Sequence, residues 1–411
     1  MIKSSILTFF DNLEIYEDLH NEKSYKQEII SSILSFLEKT DVESARNVFD
    51  SFFRAYWVGI QHKENPFLEL TNIMRKYEET AGRVVESQRD HYVHTVWVFI
   101  LGLVIFSNNE YVRGAFEKYA LNKEKYPDSY DTKNEEFFYR WGLAALFHDI
   151  AYPLEITVKQ ANRYLDFIWK YPEEKTAYKN IYMKMPDFNK FIMLPKLKPD
   201  KKYKKEYFEK YPFFKNGFKG NVIDLLSEGI ARNFDISVSL LKKSFTDFLH
   251  DMQHKGFVDH GFYSSVIMVR WYYYLIKTTN WNPAYFYFPI IDSASAILLH
   301  NFYRHILMKD PFSVGRLKID NHPIAFLLIL CDELQEWCRE GYGEKDVKAV
   351  TPNNVKLNVN NDSLEIFYVF DGGHSINEQM LEKKQKQIYK ILYWENVINK
   401  GIAIKKEANN V

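Results

Sequence analysis

A mainly helical fold is predicted by three observations. Glycine and proline are scarce, 16 and 13 in 411 residues, so long segments run without breakers. Apolar residues recur three and four positions apart over most of the chain. Alternation with a period of two is confined to a stretch after about residue 350.

The elements follow in order. Residues 1–82 carry helical stripes, Ile29, Ile30, Ile33, Leu34, Phe36 and Leu37, then Phe49, Phe52, Phe53 and Trp57. They read as a helical extension packed on the main body. A strong helix is expected from Arg83 to Phe106 through Val93, Val96, Trp97, Ile100 and Leu101, and a second from about Glu135 to Phe147. Tyr152-Pro153 stops or kinks the latter, because proline lacks the N–H and crowds the preceding turn. Residues 170–220 shift to Lys, Tyr, Pro and Phe and read as an insertion with loops; Lys201 to Lys205 is expected as a solvated run. Helical periodicity resumes at Val222–His254, His260–Lys277, Pro289–Met308 and Pro323–Arg339. Val355–Val359 and Leu364–Phe370 alternate around Asn360-Asn361-Asp362, a hairpin pattern. A charged helix at about Asn377–Asn396 and a short strand at Gly401–Ile404 complete a ββαβ module over 350–411. The helical core is assigned to 83–345.

At 411 residues, two to three folding units are expected. Lys+Arg and Asp+Glu balance at 54 each, so no global field favours nucleic acid or an anionic membrane. No cleavable leader is expected at the N-terminus. The most apolar stretch, Tyr92 to Phe106, is shorter than the roughly 20 residues a membrane span needs. A cytoplasmic location without membrane association is expected. Cys331 and Cys338 read as two buried thiols on one helix, which disfavours cysteine catalysis. No Gly-x-Gly-x-x-Gly, phosphate-binding lysine loop, Gly-x-Ser-x-Gly, His-Glu-x-x-His or Cys-x-x-Cys occurs.

The chemistry is carried by polar groups inside apolar runs: His94 in Tyr-Val-His-Thr-Val-Trp-Val, His148-Asp149 at a helix end, His260 before Gly261, His300 in Ile-Leu-Leu-His-Asn, and Asp332 after an apolar run from Ile324. A buried imidazole or carboxylate must be hydrogen-bonded or metal-bound to offset its desolvation. Nitrogen and oxygen donors together suit Mn²⁺, Fe²⁺, Mg²⁺, Ni²⁺ or Zn²⁺.

The ordered set His94-Thr95, His148-Asp149-Ile150-Ala151-Tyr152-Pro153, His260-Gly261, His300 and Asp332 resembles the HD-domain superfamily of metal-dependent phosphohydrolases over about residues 83–340. The order is like the expanded two-metal form of the HD-GYP phosphodiesterases and HD nucleases. The resemblance implies an HD-type helical bundle in which His94, His148, Asp149 and Asp332 bind a first metal, Asp149 bridges, and His260 and His300 complete a second site. It implies one or two ions, with His148 and Asp149 catalytic. It departs from the family where Ala151 replaces the signature glycine and Tyr152 stands in the usual lysine position. A cyclic-dinucleotide substrate is therefore not carried over.

His91 and His94 compete as first ligand; resemblance favours His94, which Thr95 and Val96-Trp97-Val98 follow. His91, Arg89, Arg304 and His305 are candidates for binding phosphate, Arg304 because it lies four residues after His300 on a helix. The bland reading of Arg304 pairs it with Asp292, Glu333 or Glu336 on a surface. Glu155 and Lys159 read as an exposed i,i+4 pair. Tyr272-Tyr273-Tyr274 and Trp281 could stack on bases. His20, His62, His250, His254, His322 and His374 read as surface or structural. The implied activity is metal-dependent hydrolysis of a phosphoester or phosphoanhydride, with a small nucleotide or nucleotide derivative as substrate. A ligand-binding or signalling module without turnover and a single-strand nuclease are the alternatives. Nucleic acid is not favoured as a partner, and a homo-oligomer is compatible with the sequence.

Overall fold

The computed structural model describes residues 1–13, 25–56, 66–81, 88–120, 133–169, 192–194, 220–278, 283–338, 341–342, 352–370, 378–394 and 402–408. The Lys201–Lys205 run, Trp281, His20, His62 and His374 lie outside them, as do the side chains of Arg89 and Tyr272 to Tyr274. Among the described residues the fold is mainly helical with one three-stranded sheet near the C-terminus.

Four helices precede the centre: α1 (Ile2–Asp11), α2 (Tyr25–Lys39), α3 (Val42–Tyr56) and α4 (Pro66–Ala81). A two-residue strand β1 (Gln88–Arg89) pairs with β4 (Gly341–Tyr342), so the helix expected from Arg83 starts only at Tyr92. The reason is capping. Asp90 Oδ2 accepts from the N–H groups of Val93 and His94 at 2.9 and 3.3 Å, and buried Glu78 accepts from His91 and Tyr92. Both carboxylates sit where the helix dipole favours negative charge.

That helix, α5 (Tyr92–Asn108), is buried on every face from Tyr92 to Phe106, the pattern of a central core helix. Beyond α6 (Glu110–Ala120), α7 (Lys133–Phe147) packs on α5 through a close approach at Gly102. A Cβ there would collide with the Trp141 ring, whose Nε1–H donates to the Phe99 carbonyl at 2.8 Å. The glycine thus sets the spacing between the helix that carries His94 and the helix that leads into His148.

Residues 148–151 form a turn, and α8 (Tyr152–Trp169) begins with Pro153 in its first turn, where no N–H is missed. Short strands β2 (Met193–Leu194) and β3 (Gly220–Asn221) pair before α9 (Val222–Phe234). The single helix expected at 222–254 is two, α9 and α10 (Val238–Lys255). Asp235 takes a left-handed conformation at φ 52° and Ser237 caps the next helix. The sheet-free core closes with α11 (His260–Thr278), α12 (Pro283–Phe302), a π-helical turn at Tyr303–Leu307 and α13 (Pro323–Leu334). Cys338 lies beyond α13 rather than in it, with its thiol donating to the Asn353 carbonyl.

The hairpin is as expected: β5 (Asn354–Val359) pairs antiparallel with β6 (Leu364–Phe370). After α14 (Glu378–Ile391), β7 (Ile402–Ala408) pairs parallel with β6, giving the order β5-β6-β7. The module is seated on the helices by Tyr368, which donates to the Leu334 carbonyl at 2.7 Å, and by Trp394 packed edge-on against Phe326. No single helix is long and apolar enough to cross a membrane among the described residues.

Candidate metal centre

Two groups of metal-ligating atoms share one carboxylate. His94, His148 and Asp149 each offer one atom within 4.8 Å of the other two, and so do Asp149, His260 and His300. His94 comes from α5, His148-Asp149 from the turn after α7, His260 from the start of α11 and His300 from the end of α12. Asp149 Oδ2 lies 3.4 Å from His148 Nε2 and its Oδ1 lies 3.2 Å from His260 Nε2. Asp332, in the last turn of α13, adjoins the first group: its Oδ1 is 2.9 Å from His94 Nε2 and 3.8 Å from His148 Nε2. The Asp332 side chain keeps 32% exposure against 4% or less for His94, His148 and Asp149, so the centre opens to solvent on its side.

Each ring is held from behind through Nδ1. His148 Nδ1 donates to the Ala145 carbonyl at 2.8 Å and His300 Nδ1 to the Ile297 carbonyl. Carbonyls only accept, so both tautomers are fixed with Nε2 free of hydrogen. Gln335 gives its amide N–H to the Trp337 carbonyl at 2.6 Å, which turns Oε1 towards His94 Nδ1. Glu155 Oε2 accepts from His260 Nδ1 at 2.5 Å. Four Nε2 atoms therefore face one another across Asp149.

This donor set fits a cation. His148 Nε2 is buried and makes no hydrogen bond. His260 Nε2 and His300 Nε2 face each other at 3.1 Å with both Nδ1 atoms already committed, a contact that needs a shared proton or a positive ion between them. The electrostatics agree. Burial opposes ionisation of Asp149, yet His148, His260 and His91 hold its carboxyl well below the usual range. Asp332 is lowered against burial by His148 and His94. Burial works against a charged His260, but Asp149 and Glu155 raise it well above the ordinary imidazole value. His300 falls to about 4 through burial and the neighbouring His260 and His148. The buried residues could hold a metal ion, with hard oxygen and imidazole donors suited to a first-row divalent cation.

The remaining candidates lie around this cluster. His91 stands beside it, not in it: its Nδ1 is 3.1 Å from Glu78 Oε1 and its ring stacks on Tyr152 at 3.5 Å. Arg304 and His305 are exposed in the π-helical turn, so the i+4 spacing that put Arg304 on the face of His300 does not apply. The pairing of Arg304 with Asp292 is excluded, because Asp292 is buried against Arg140; its charge acts on Glu333, next to Asp332. The exposed pair expected for Glu155 and Lys159 needs correction. The two do meet, but Glu155 is 12% exposed and its second partner is His260, which pulls its carboxyl down to about 2 against burial. Glu155, Gln335 and Glu78 escape a reading that looks for polar groups in apolar runs: Glu78 and Gln335 have polar neighbours, and Glu155 stands in the first turn of a helix four residues before Lys159, as an ordinary surface carboxylate does. His322 is buried and caps α13 through Nδ1, whereas His250 and His254 stack on the exposed face of α10.

Neither a scan against models of protein families nor searches of curated proteins and of solved structures gives a match to this chain.

Proposed function

We propose that the chain is an HD-type metal-dependent phosphohydrolase cleaving a phosphoester or phosphoanhydride of a nucleotide or nucleotide derivative. The observation that carries this reading is Asp149, shared by two three-residue groups whose imidazoles all direct Nε2 inward. The ordered resemblance from His94 to Asp332 supplies the reaction class. His94, His148, Asp149, His260, His300 and Asp332 would hold one or two divalent cations, which when bound would supply a water of lowered pKa and a Lewis acid for the phosphoryl and leaving oxygens.

The chain's own residues do the rest. Ala145, Ile297, Gln335 and Glu155 fix ring orientation, so the donors need no reorganisation when loaded. Asp332 and His260, exposed by 32% and 18%, line the side from which a phosphate can enter. Arg304, whose charge acts on Glu333 next to Asp332, is the cationic group that would meet it.

The test is elemental analysis of the purified chain, then a screen of nucleotides, cyclic nucleotides and oligonucleotides with Mn²⁺, Mg²⁺, Co²⁺ or Ni²⁺. Metal-dependent release of phosphate or nucleoside that His148→Ala and Asp149→Ala abolish, with helicity kept, is the expected result. Bound metal without turnover of any phosphate compound would make the chain a binding module instead. Turnover confined to oligonucleotides with steep salt dependence would make it a nuclease.

A further inference from the structure

The two groups of the candidate centre are unequal in donors. Asp332 adjoins His94, His148 and Asp149 as a fourth, whereas Asp149, His260 and His300 are three. The residue after His300 supplies what is missing. Asn301, in the last turn of α12, brings its amide nitrogen Nδ2 to 3.4 Å from His260 Nε2. The same Nε2 lies 3.1 Å from His300 Nε2 and 3.2 Å from Asp149 Oδ1. Two donors bound at roughly 2.1 Å to one first-row ion, about 90–110° apart, stand about 3.0–3.4 Å from each other. All three separations fall in that window, so the amide occupies a ligand's place beside His260. Among the described residues nothing else holds it: the Asn301 side chain is half-buried and makes no other hydrogen bond. Its contact with His260 is long for a hydrogen bond, since good N–H bonds run about 2.7–3.2 Å. A cation at this point decides the amide's orientation. It repels the N–H edge and attracts the carbonyl, and a half-turn about the Cβ–Cγ bond puts Oδ1 almost where Nδ2 stood.

We infer that Asn301 Oδ1 is the fourth protein ligand of the ion at Asp149, His260 and His300, and that this neutral oxygen tunes the position to a hard cation such as Mn²⁺ or Mg²⁺ rather than Zn²⁺. The inference rests on the proposed centre and adds a donor of a different kind to it. Amide carbonyls suit Mg²⁺ and Mn²⁺, and four protein donors leave an octahedral ion two positions for water or phosphate. Zn²⁺ is content with four ligands, and Asp149, His260, His300 and one water already make that set. With Asn301 each group has two nitrogens and two oxygens. Counting Asp149 in both, the second group carries one carboxylate where the first carries two.

The experiment uses the full chain, stripped with a chelator and then titrated calorimetrically with Mn²⁺ and, separately, with Zn²⁺. Asn301→Ala should weaken Mn²⁺ at the second group about tenfold or more, at least the loss that follows removal of an outer partner, and Zn²⁺ by no more than about twofold. Asn301→Asp keeps the oxygen and loses the N–H, so Mn²⁺ affinity should be held or raised. Unaltered Mn²⁺ affinity in Asn301→Ala overturns the inference and leaves the centre standing. Equal weakening of the two metals overturns it as well, because Asn301 would then only position His260 or His300. The same holds if Asn301→Asp loses Mn²⁺ as Asn301→Ala does, since the amide would then act through its N–H. A native chain that binds neither metal refutes the centre itself, and this ligand with it.

Discussion

Glu155 holds His260 from behind across 105 residues of chain, its Oε2 2.5 Å from the ring Nδ1 and 3.2 Å from the backbone N–H of the same residue. One carboxylate thus fixes both the rotation of the imidazole and the start of α11. Outer partners of this kind typically contribute about 10–100-fold to metal affinity. If the proposed centre holds two ions, Glu155→Ala should weaken the one at Asp149, His260 and His300 by that factor and spare the one at His94 and His148. Glu155→Gln, which keeps an acceptor, should recover part of it. Calorimetric titration with Mn²⁺ separates the two ions; equal weakening of both would refute the assignment.

Gly261 gives a second handle on the same ion without touching a ligand. A Cβ there would meet His300 Cε1 at 2.7 Å, His300 Nδ1 at 3.1 Å and the Ile297 carbonyl at 3.1 Å. The ring cannot step aside cheaply, because its Nδ1 is bonded to that carbonyl. Gly261→Ala should misaim His300 and cost about tenfold or more in affinity for the second ion. The helix itself should tolerate it, since alanine is the better helix former. Unchanged stoichiometry and affinity in this variant would show that His300 is not a ligand.

Proton linkage sets the pH response. The carboxylates of Asp149 and Asp332 are lowered, so their contribution to stability is present above the ordinary value of 3.8 and is lost as pH falls through their folded values. His148 is raised: burial opposes its charge, and Asp149 and Asp332 outweigh it. His260 is raised further. Both contribute fully below 6.5, and the contribution is lost as pH rises through the folded values. His300, lowered to about 4, acts in the opposite sense and costs stability as pH falls below 6.5. With a chelator present, the melting temperature should therefore decline above about pH 6.5. Metal requires those same rings without their protons, so added Mn²⁺ should stabilise more at high pH and release protons on binding. A metal increment that shrinks as pH rises would sink the assignment of His148 and His260 as ligands.

The legible part of this centre was the part that violates local expectation. His94, His148, His300 and Asp332 interrupt apolar runs, and such an interruption has a physical cost that must be met somewhere. Glu155 and Gln335 carry no such mark, because a carboxylate in the first turn of a helix and a glutamine after one are ordinary surface choices. Their roles depend on which chain segment arrives from the other end of the sequence. Spacing from Tyr152-Pro153 could have pointed to Glu155, which lies one turn inside the helix that the proline opens. The hairpin at Asn354–Phe370 was readable because alternation and an Asn-Asn-Asp turn agree. The break at Asp235 was not, since no glycine or proline marks it and only Ser237 announces a new cap.

Arg140 supplies the last prediction, on the frame that aligns α7 with α12. It is fully buried; its Nε donates to Glu136 at 2.9 Å and its Nη1 to Asp292, which also accepts from Tyr119 at 3.0 Å. Asn233 in turn donates to the Tyr119 hydroxyl at 2.8 Å, so one guanidinium serves two acids and a polar chain inside the core. Removing the cation takes the guanidinium away from two buried carboxylates, and breaking a buried pair in this way typically costs about 3–5 kcal/mol. Arg140→Met should lose that much in urea unfolding. Replacing the whole set, Glu136→Leu, Arg140→Met and Asp292→Leu together, should recover most of it, because well-packed apolar groups often match or exceed a buried ion pair. The two variants also separate stability from alignment. α7 ends one residue before His148 and α12 carries His300, so if the ion cluster fixes their relative position, the stable triple variant should still bind Mn²⁺ more weakly than the native chain. Native affinity in that variant would mean that packing alone aligns the two helices and the charges serve only the fold.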